Sequence, residues 1–395
     1  MLRAQILLVG VITGSAQAVE LTDYIVPNSF YEAAYISGSL NAASSTEGDQ
    51  AQYNSNLQAN YEQRRSTLPV SWQLSVDTFG SAKRGSAEGD EQESQFQLDL
   101  GASYDRYFNA QDPLFWTAGV DFSSAGGSAA VSQSDADLNL GIGRGRIFDA
   151  TPLARVLRIQ EELLRYELIE VEIADDLLLE MAKVVAKEAE YRSEYQATQV
   201  EGTDKGYQAY IVADLEAILN REKLLVGNSL GAVGALRIAE VLFDESVSPR
   251  KHGWVARAGL AVSRNETDGV VEESDPALSL DFEYAQPYGY RGQLTNTARF
   301  VPSSDRTRVS NSLSYTYEVT DTIDWENTWD WRLVDNELGS DSTHTLSSRY
   351  VVQVTESLNY TLGMELSRRD GFDEDKNEIE RADSALTMSL RYRLR

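Results

Sequence analysis

The chain has 395 residues and a formal net charge of −27, an acidic balance that argues against nucleic acid as a partner, because phosphate binding needs a surplus of lysine and arginine. It has no cysteine, which excludes disulfides, thiolate metal sites and a lipid-modified cysteine. No stretch after residue 18 approaches the roughly 18 uninterrupted apolar residues of a membrane-spanning helix, a test that a barrel escapes because its strands are only half apolar.

The N-terminus reads as a secretory signal peptide over residues 1–18. Arg3 supplies the positive start, Ile6 to Ile12 a short apolar core, and Ala16-Gln17-Ala18 a small-residue cleavage site, so the mature chain is expected to begin at Val19. Alternation with a period of two then dominates residues 19–148. A weak run lies at Tyr31 to Asn41. In the next, Tyr53, Leu57, Ala59 and Tyr61 face away from Asn54, Asn56, Gln58 and Asn60. Further runs start at Val70, Phe96, Leu114 and Ala136. Alternation returns in residues 247–395, with runs opening at Trp254, Leu278, Tyr290, Val309, Ile323, Leu346, Leu358 and Leu386. Half-apolar strands of this kind fit a transmembrane antiparallel β-barrel of about 14 strands, an even number as bacterial barrels require. The connections alternate between tight (Arg65-Ser66-Thr67, Asn109 to Pro113, Gln286-Pro287, Thr320-Asp321, Thr355-Glu356) and long and polar (Gly80 to Glu93, Ser123 to Ser134, Asn265 to Asp275, Arg369 to Arg381). Short periplasmic turns and long outer loops have this rhythm. The exception is a short outer connection at Pro302 to Asp305.

Residues 149–246 change period. Thr151 reads as a helix cap with Pro152 in the first turn. Leu153, Val156, Leu157 and Leu164 follow at helical spacing. Leu177, Met181, Val184 and Val185 mark a second helix, Tyr207 to Leu225 a third, and Gly234, Ile238, Val241 and Leu242 one face of a fourth. Turn parity puts both ends of this α-helical insert at the periplasmic rim. Its amphipathic segments describe a soluble bundle rather than membrane helices. From Ala150 to Glu245 it carries 19 Asp/Glu against 10 Lys/Arg, which disfavours docking on anionic headgroups. Two placements are open: a domain hanging below the barrel, which the bulk of four helices favours, or a plug folded into the lumen.

Three motifs invite a chemical reading, and each has a simpler one. Gly227-Asn228-Ser229-Leu230-Gly231 matches the nucleophile elbow, yet no parallel sheet surrounds it and the two histidines, His252 and His344, lie in strand territory. A turn between helices suffices. Gly141-Ile142-Gly143-Arg144-Gly145 lacks the spacing and β-α-β context of a dinucleotide loop, and Gly141, Gly143 and Gly145 are expected to line the barrel interior. Asp373 to Asn377 has Glu378 where a calcium loop needs glycine. No metal site and no cofactor are therefore expected. The alternation assigns one set of charges to the lumen, because an arginine or lysine facing lipid at the midplane costs about 2–4 kcal/mol. They are Arg257, Asp281, Glu283, Arg299, Arg308, Asp324, Glu326, Asp330, Arg332, Arg349, Glu365, Arg391 and Arg393. Two arrangements are open: a water-filled channel whose selectivity they set, which small neighbours at Ser310, Ser312, Ser314, Thr328, Ser347 and Gly363 favour, or a paired network filling a narrow barrel.

These features resemble Gram-negative outer-membrane β-barrel proteins, broadly porin-like, over both strand series and the signal peptide. The resemblance implies residence in outer-membrane lipid, assembly by the outer-membrane insertion machinery, and diffusion or transport of solutes. Such proteins commonly end on Phe or Trp, whereas this chain ends Tyr392-Arg393-Leu394-Arg395. The leading expectation is a non-enzymatic channel or translocation protein that passes a solute or exported polymer. Residues 149–246 would dock a periplasmic protein or gate the lumen. The alternatives are a scaffolding barrel whose insert binds an envelope partner, and an outer-membrane hydrolase using His344 with Ser342 or Ser347.

Overall fold

The computed structural model describes residues 19–43, 50, 52–87, 89–109, 112–128, 132–195, 206–245, 247–302, 306–336, 339–355, 357–372 and 378–394. Six strands precede the helices: β1 (Ser29–Ala43), β2 (Gln52–Ser66), β3 (Val70–Arg84), β4 (Glu93–Tyr107), β5 (Leu114–Gly127) and β6 (Gln133–Asp149). Nine follow: β7 (Lys251–Thr267), β8 (Val270–Glu273), β9 (Ala277–Tyr288), β10 (Gly292–Val301), β11 (Arg306–Thr320), β12 (Ile323–Asn336), β13 (Gly339–Gln353), β14 (Leu358–Phe372) and β15 (Glu378–Arg393). Each pairs antiparallel with its sequence neighbour, β6 pairs with β7 from Gln133↔Thr267 to Asp149↔Lys251, and β1 meets β15. Short β8 pairs with the far end of β7 and β9 with the near end, so the two form one stave and the closed barrel has fourteen.

The two faces of the wall explain why it closes. Outward positions carry exposed apolar side chains, among them Leu140 at 66%, Ile142 at 62% and Leu386 at 72% exposure. In water this coat would cost about 25 cal/mol per Å2; in a bilayer it costs nothing, and closure pairs the strand edges everywhere except beyond the short β1–β15 ladder. No helix among the described residues is long and apolar enough to cross a membrane. The strands are therefore the membrane-crossing elements, and the chain is an outer-membrane-type barrel.

The insert comprises α1 (Thr151–Arg165), α2 (Asp175–Val185), α3 (Glu188–Tyr195), α4 (Gly206–Arg221) and α5 (Gly231–Ala239), with a π turn at Glu240–Asp244. Leu153, Ile159, Leu163, Met181, Ile211, Leu215 and Leu219 form a dry core. The N-terminal segment joins it: Leu21 and Tyr24 are buried there, and the Tyr24 hydroxyl donates to the Ala182 carbonyl at 3.4 Å.

Several local expectations shift. Thr151 is the first helical residue rather than the cap. Asp149 Oδ1 accepts from the Thr151 amide at 2.9 Å and from its hydroxyl at 2.5 Å, doing the work expected of Thr151. Gln286 and Pro287 lie inside β9, where Pro287 faces Gln293, and the turn falls three residues later at Gly289–Arg291, taking Tyr290 out of the strand. The loop expected at Asn265 to Asp275 folds as the end of β7 and β8. Helix α3 escaped notice because its sequence, EAEYRSEY, has no apolar stripe and buries nothing. The acidic segment Asp373 to Asn377 lies outside the described residues.

Candidate functional site

Alternation within the register places all thirteen predicted charges on the barrel's interior face. Arg257 on β7, Asp281 and Glu283 on β9, and Arg299 on β10 share the face of the fully buried Phe115; Leu280, Phe282 and Phe300 point outward. Arg308 on β11, with Asp324, Glu326, Asp330 and Arg332 on β12, continues the interior face. Arg349 on β13, Glu365 on β14, and Arg391 and Arg393 on β15 complete it.

What the sequence did not reveal is the partners. The Arg257 guanidinium pairs with Asp105 of β4 at 2.7 Å and lies 4.0 Å from Glu283. Arg299 pairs with Asp121 of β5 at 2.8 Å and with Asp281 at 3.6 Å. Arg308 reaches Asp137 of β6 at 3.3 Å and donates to Ser263 Oγ at 2.6 Å. Asp105, Asp121 and Asp137 stand three or four staves from their arginines, so these ion pairs bridge the interior, whereas Glu283 and Asp281 approach Arg257 and Arg299 from the adjacent strand. The acidic side is a wall: Asp77 faces Asp99, Asp121 faces Asp137, and Ser123 faces Asp135 across successive strands. Those five carboxylates line a recess of about 220 Å3. A larger cavity of about 560 Å3 is lined by Asp281, Arg299, Ser312, Asp330, Arg332 and Thr345, together with Phe282 and Trp331.

The interior is uneven. Near the helical insert it is filled by Tyr107, Phe115, Val255 and Ile147. Arg146 stacks on the Tyr107 ring at 3.8 Å and donates to the Thr67 and Leu68 carbonyls. Gly143 exists to admit Phe115, because a Cβ there would collide with its ring. Gly141 and Gly259 face each other across the β6–β7 ladder, where side chains would meet the opposing backbone. The expectation that Gly141, Gly143 and Gly145 line the interior thus acquires a steric reason, while Ile142 between them faces outward. On the other side, at β12–β15, Arg332, Arg349, Arg391 and Arg393 make no ion pair among the described residues, nor do Glu326, Asp330 and Glu365. Arg332 and Asp330 are exposed.

The insert sits on one rim. Its contacts run to strand ends and turns: Arg158 pairs with Glu318 at the end of β11 and, at 2.7 Å, with Glu245. Arg250 pairs with Glu318 at 2.7 Å and donates to the Tyr290, Arg291 and Ser248 carbonyls. Glu161 accepts from Tyr290 and Arg291, Asp324 from the Ser248 hydroxyl at 3.0 Å, and the Asp244 carbonyl from Gln353. Arg250, Arg158 and Glu318 are essentially inaccessible, at 0%, 3% and 2% side-chain exposure. Burial pushes the Arg250 guanidinium below its ordinary pKa, with Glu318 opposing, and raises the Glu245 carboxyl against the pull of Arg158.

The candidate catalytic groups do not assemble. Gly227 to Gly231 is the turn between α4 and α5, with Gly227, Asn228 and Gly231 at positive φ and no strand beneath. His344 lies outward on β13, stacked between Trp329 and Trp331, with Ser342 Oγ 3.4 Å away. Ser347 occupies the opposite, interior face. His252 sits at the insert's rim, bonded to the Tyr24 carbonyl and stacked on Phe148. No group of metal-binding side chains occurs among the described residues.

A closed, apolar-coated and polar-filled barrel of fourteen staves defines the class: an outer-membrane β-barrel of porin-like build. Comparison with family models and with curated proteins finds no match. Among solved structures, the chain is similar to the toluene transporter TodX of Pseudomonas putida, at 7% identity over 94% of this chain and 91% of that one, with a TM-score of 0.31. It is also similar to OpdK of Pseudomonas aeruginosa, solved with vanillate, at 7% identity over 93% and 99%, TM-score 0.32. The β domain of the Bordetella autotransporter BrkA matches at 8% identity over 93% and 98%, TM-score 0.24. These likenesses are too distant to assign an activity.

Proposed function

We propose that the protein is an outer-membrane channel that admits a polar or charged solute, with the helical insert capping its periplasmic rim. The observation that carries this reading is the separation of charge inside the barrel. An acidic wall at Asp77, Asp99, Asp121, Asp135 and Asp137 confronts Arg257, Arg299 and Arg308, while charges with no ion pair among the described residues line the β12–β15 side. A barrel filled only for stability gains little from buried ion pairs, since well-packed apolar residues do as well or better. A transverse field over a hydrated path, by contrast, orders polar solutes and selects among ions. Of the two placements open from the sequence, a domain hanging below the barrel and a plug folded into the lumen, contacts at strand ends and turns favour the first, here seated on the rim as a cap.

Planar-bilayer recording of the full chain tests the reading. The parent should give discrete conductance, and Asp121→Asn with Asp137→Asn should shift the reversal potential in a salt gradient toward anions. Folded protein that stays silent across voltage and salt, or a double variant with unchanged selectivity, refutes it.

A further inference from the structure

The fourteen seams of the barrel are unequal. β1 pairs with β2 from Ser29↔Ser66 to Ala43↔Gln52, and β14 with β15 from Leu358↔Tyr392 to Phe372↔Glu378. The seam that closes the barrel, β1 against β15, runs only from Tyr35↔Arg393 to Gly38↔Leu390, with one further bond from the Leu394 amide to the Ala34 carbonyl. All of this pairing lies at the insert's rim. Away from it, β15 continues from Ser389 to Glu378, about 40 Å at about 3.3 Å per residue, without a partner on that edge among the described residues. β1 continues from Ser39 to Ala43 likewise.

An unpaired strand edge at membrane depth leaves amide and carbonyl groups unsatisfied at several kcal/mol each, so something polar must reach it. From Glu380 to Met388 every residue of β15 is exposed, on the interior face as well as the outer one. Asp330 and Arg332 are exposed inside the closed wall too, so it is the interrupted β1–β15 ladder that opens a slit between the lumen and the hydrocarbon. Its outer lips are apolar: Leu40, Leu386 and Met388 are 70%, 72% and 60% exposed. Its inner side carries an arginine at two levels, with Glu326 opposite Arg349 and Glu365 beside it on the same face. Arg391, over the Tyr35 ring, stands one pair below the end of the ladder. Arg349, level with Thr387 across β14, leans over Gly363, where the missing side chain leaves room for its stem. Neither arginine has a carboxylate partner among the described residues.

We propose that the β1–β15 seam is a lateral portal for an anionic membrane lipid, its acyl chains between Leu40, Leu386 and Met388 and its headgroup inside against Arg391 and Arg349. The proposal rests on the barrel's residence in the membrane and not on axial conduction, which is read separately. The test uses the full chain in vesicles of phosphatidylglycerol and phosphatidylethanolamine, with a photo-crosslinking residue at Thr387 and, as control, at Thr297 on the far interior wall. Thr387 should give a phospholipid adduct at least fivefold above Thr297. The adduct should disappear when Ser39→Cys and Ser389→Cys, the next pair of the interrupted ladder, are oxidised to a disulfide, and return on reduction. Arg349→Gln with Arg391→Gln should abolish the preference for phosphatidylglycerol over phosphatidylethanolamine. Conductance of the oxidised pair, recorded in parallel, reports the axial path alone. Equal labelling at both positions, labelling that survives the disulfide, or a crosslinked dimer at Thr387, which would put a second copy's strand on the seam, overturns the portal.

Discussion

Replacing Glu318 by glutamine should unseat the insert from the barrel. Glu318 is the single carboxylate shared by two inaccessible guanidiniums, those of Arg158 and Arg250, and it also accepts from the Ser248 amide at 3.2 Å. Glutamine keeps the shape and one acceptor but removes the charge. Breaking a buried pair costs about 3–5 kcal/mol, because the surviving charge is left uncompensated. Here Arg158 keeps Glu245 and Arg250 keeps three carbonyls, so the lower end, about 3 kcal/mol, applies. At about 1.4 kcal/mol per factor of ten, the undocked population should rise by about two orders of magnitude. Pulse proteolysis of protein in vesicles reads that population, provided the barrel still migrates as a folded species in unheated detergent gels. If the insert caps the pore, single-channel conductance should rise in the same variant. Cleavage kinetics of Glu318→Gln within twofold of the parent would refute the argument, since the buried charges would then be compensated from elsewhere.

Two further substitutions test the wall. Leu140→Arg, at a position 66% exposed, would be harmless on a soluble protein but should destabilise this barrel by about 2–4 kcal/mol if the site faces the bilayer midplane; urea titration in lipid vesicles decides, and a shift under 0.5 kcal/mol contradicts the membrane orientation. Gly143→Ala should cost about 1–3 kcal/mol by overpacking against Phe115 and should be partly rescued by Phe115→Leu, incompletely because the new Cβ also lies 2.9 Å from the Ala256 carbonyl; an additive double variant would show that the ring is not the obstacle.

The strands were legible because a wall between two solvents writes itself as alternation. Leu278, Leu280, Phe282 and Tyr284 name the lipid face of β9 wherever the strand ends, so Asp281 and Glu283 follow to the interior without any knowledge of the barrel. Ends were less legible. Pro287 looks like a turn residue, yet as the penultimate residue of β9 it tolerates a lost donor. Helix α3 has no periodic signal because it packs on α4 through Tyr195 and Tyr210, stacked at 3.9 Å, rather than through an aliphatic stripe.

Cross-barrel pairing could not be read at all. Alternation assigns Asp121 and Arg299 to the same face, but they are 178 residues apart, and what brings them together is the stagger and curvature of the closed wall. That is also why the acidic half of the site was missed: Asp105, Asp121 and Asp137 alternate as cleanly as their partners, but nothing within β4, β5 or β6 marks the distant arginine each will meet. The insert's seat depends on geometry of the same kind. Arg158 lies within an ordinary amphipathic helix, and Glu318 reads as one more interior charge near a strand end. Only the docked rim converts that pair, with Arg250, into a buried cluster whose disruption has a predictable cost.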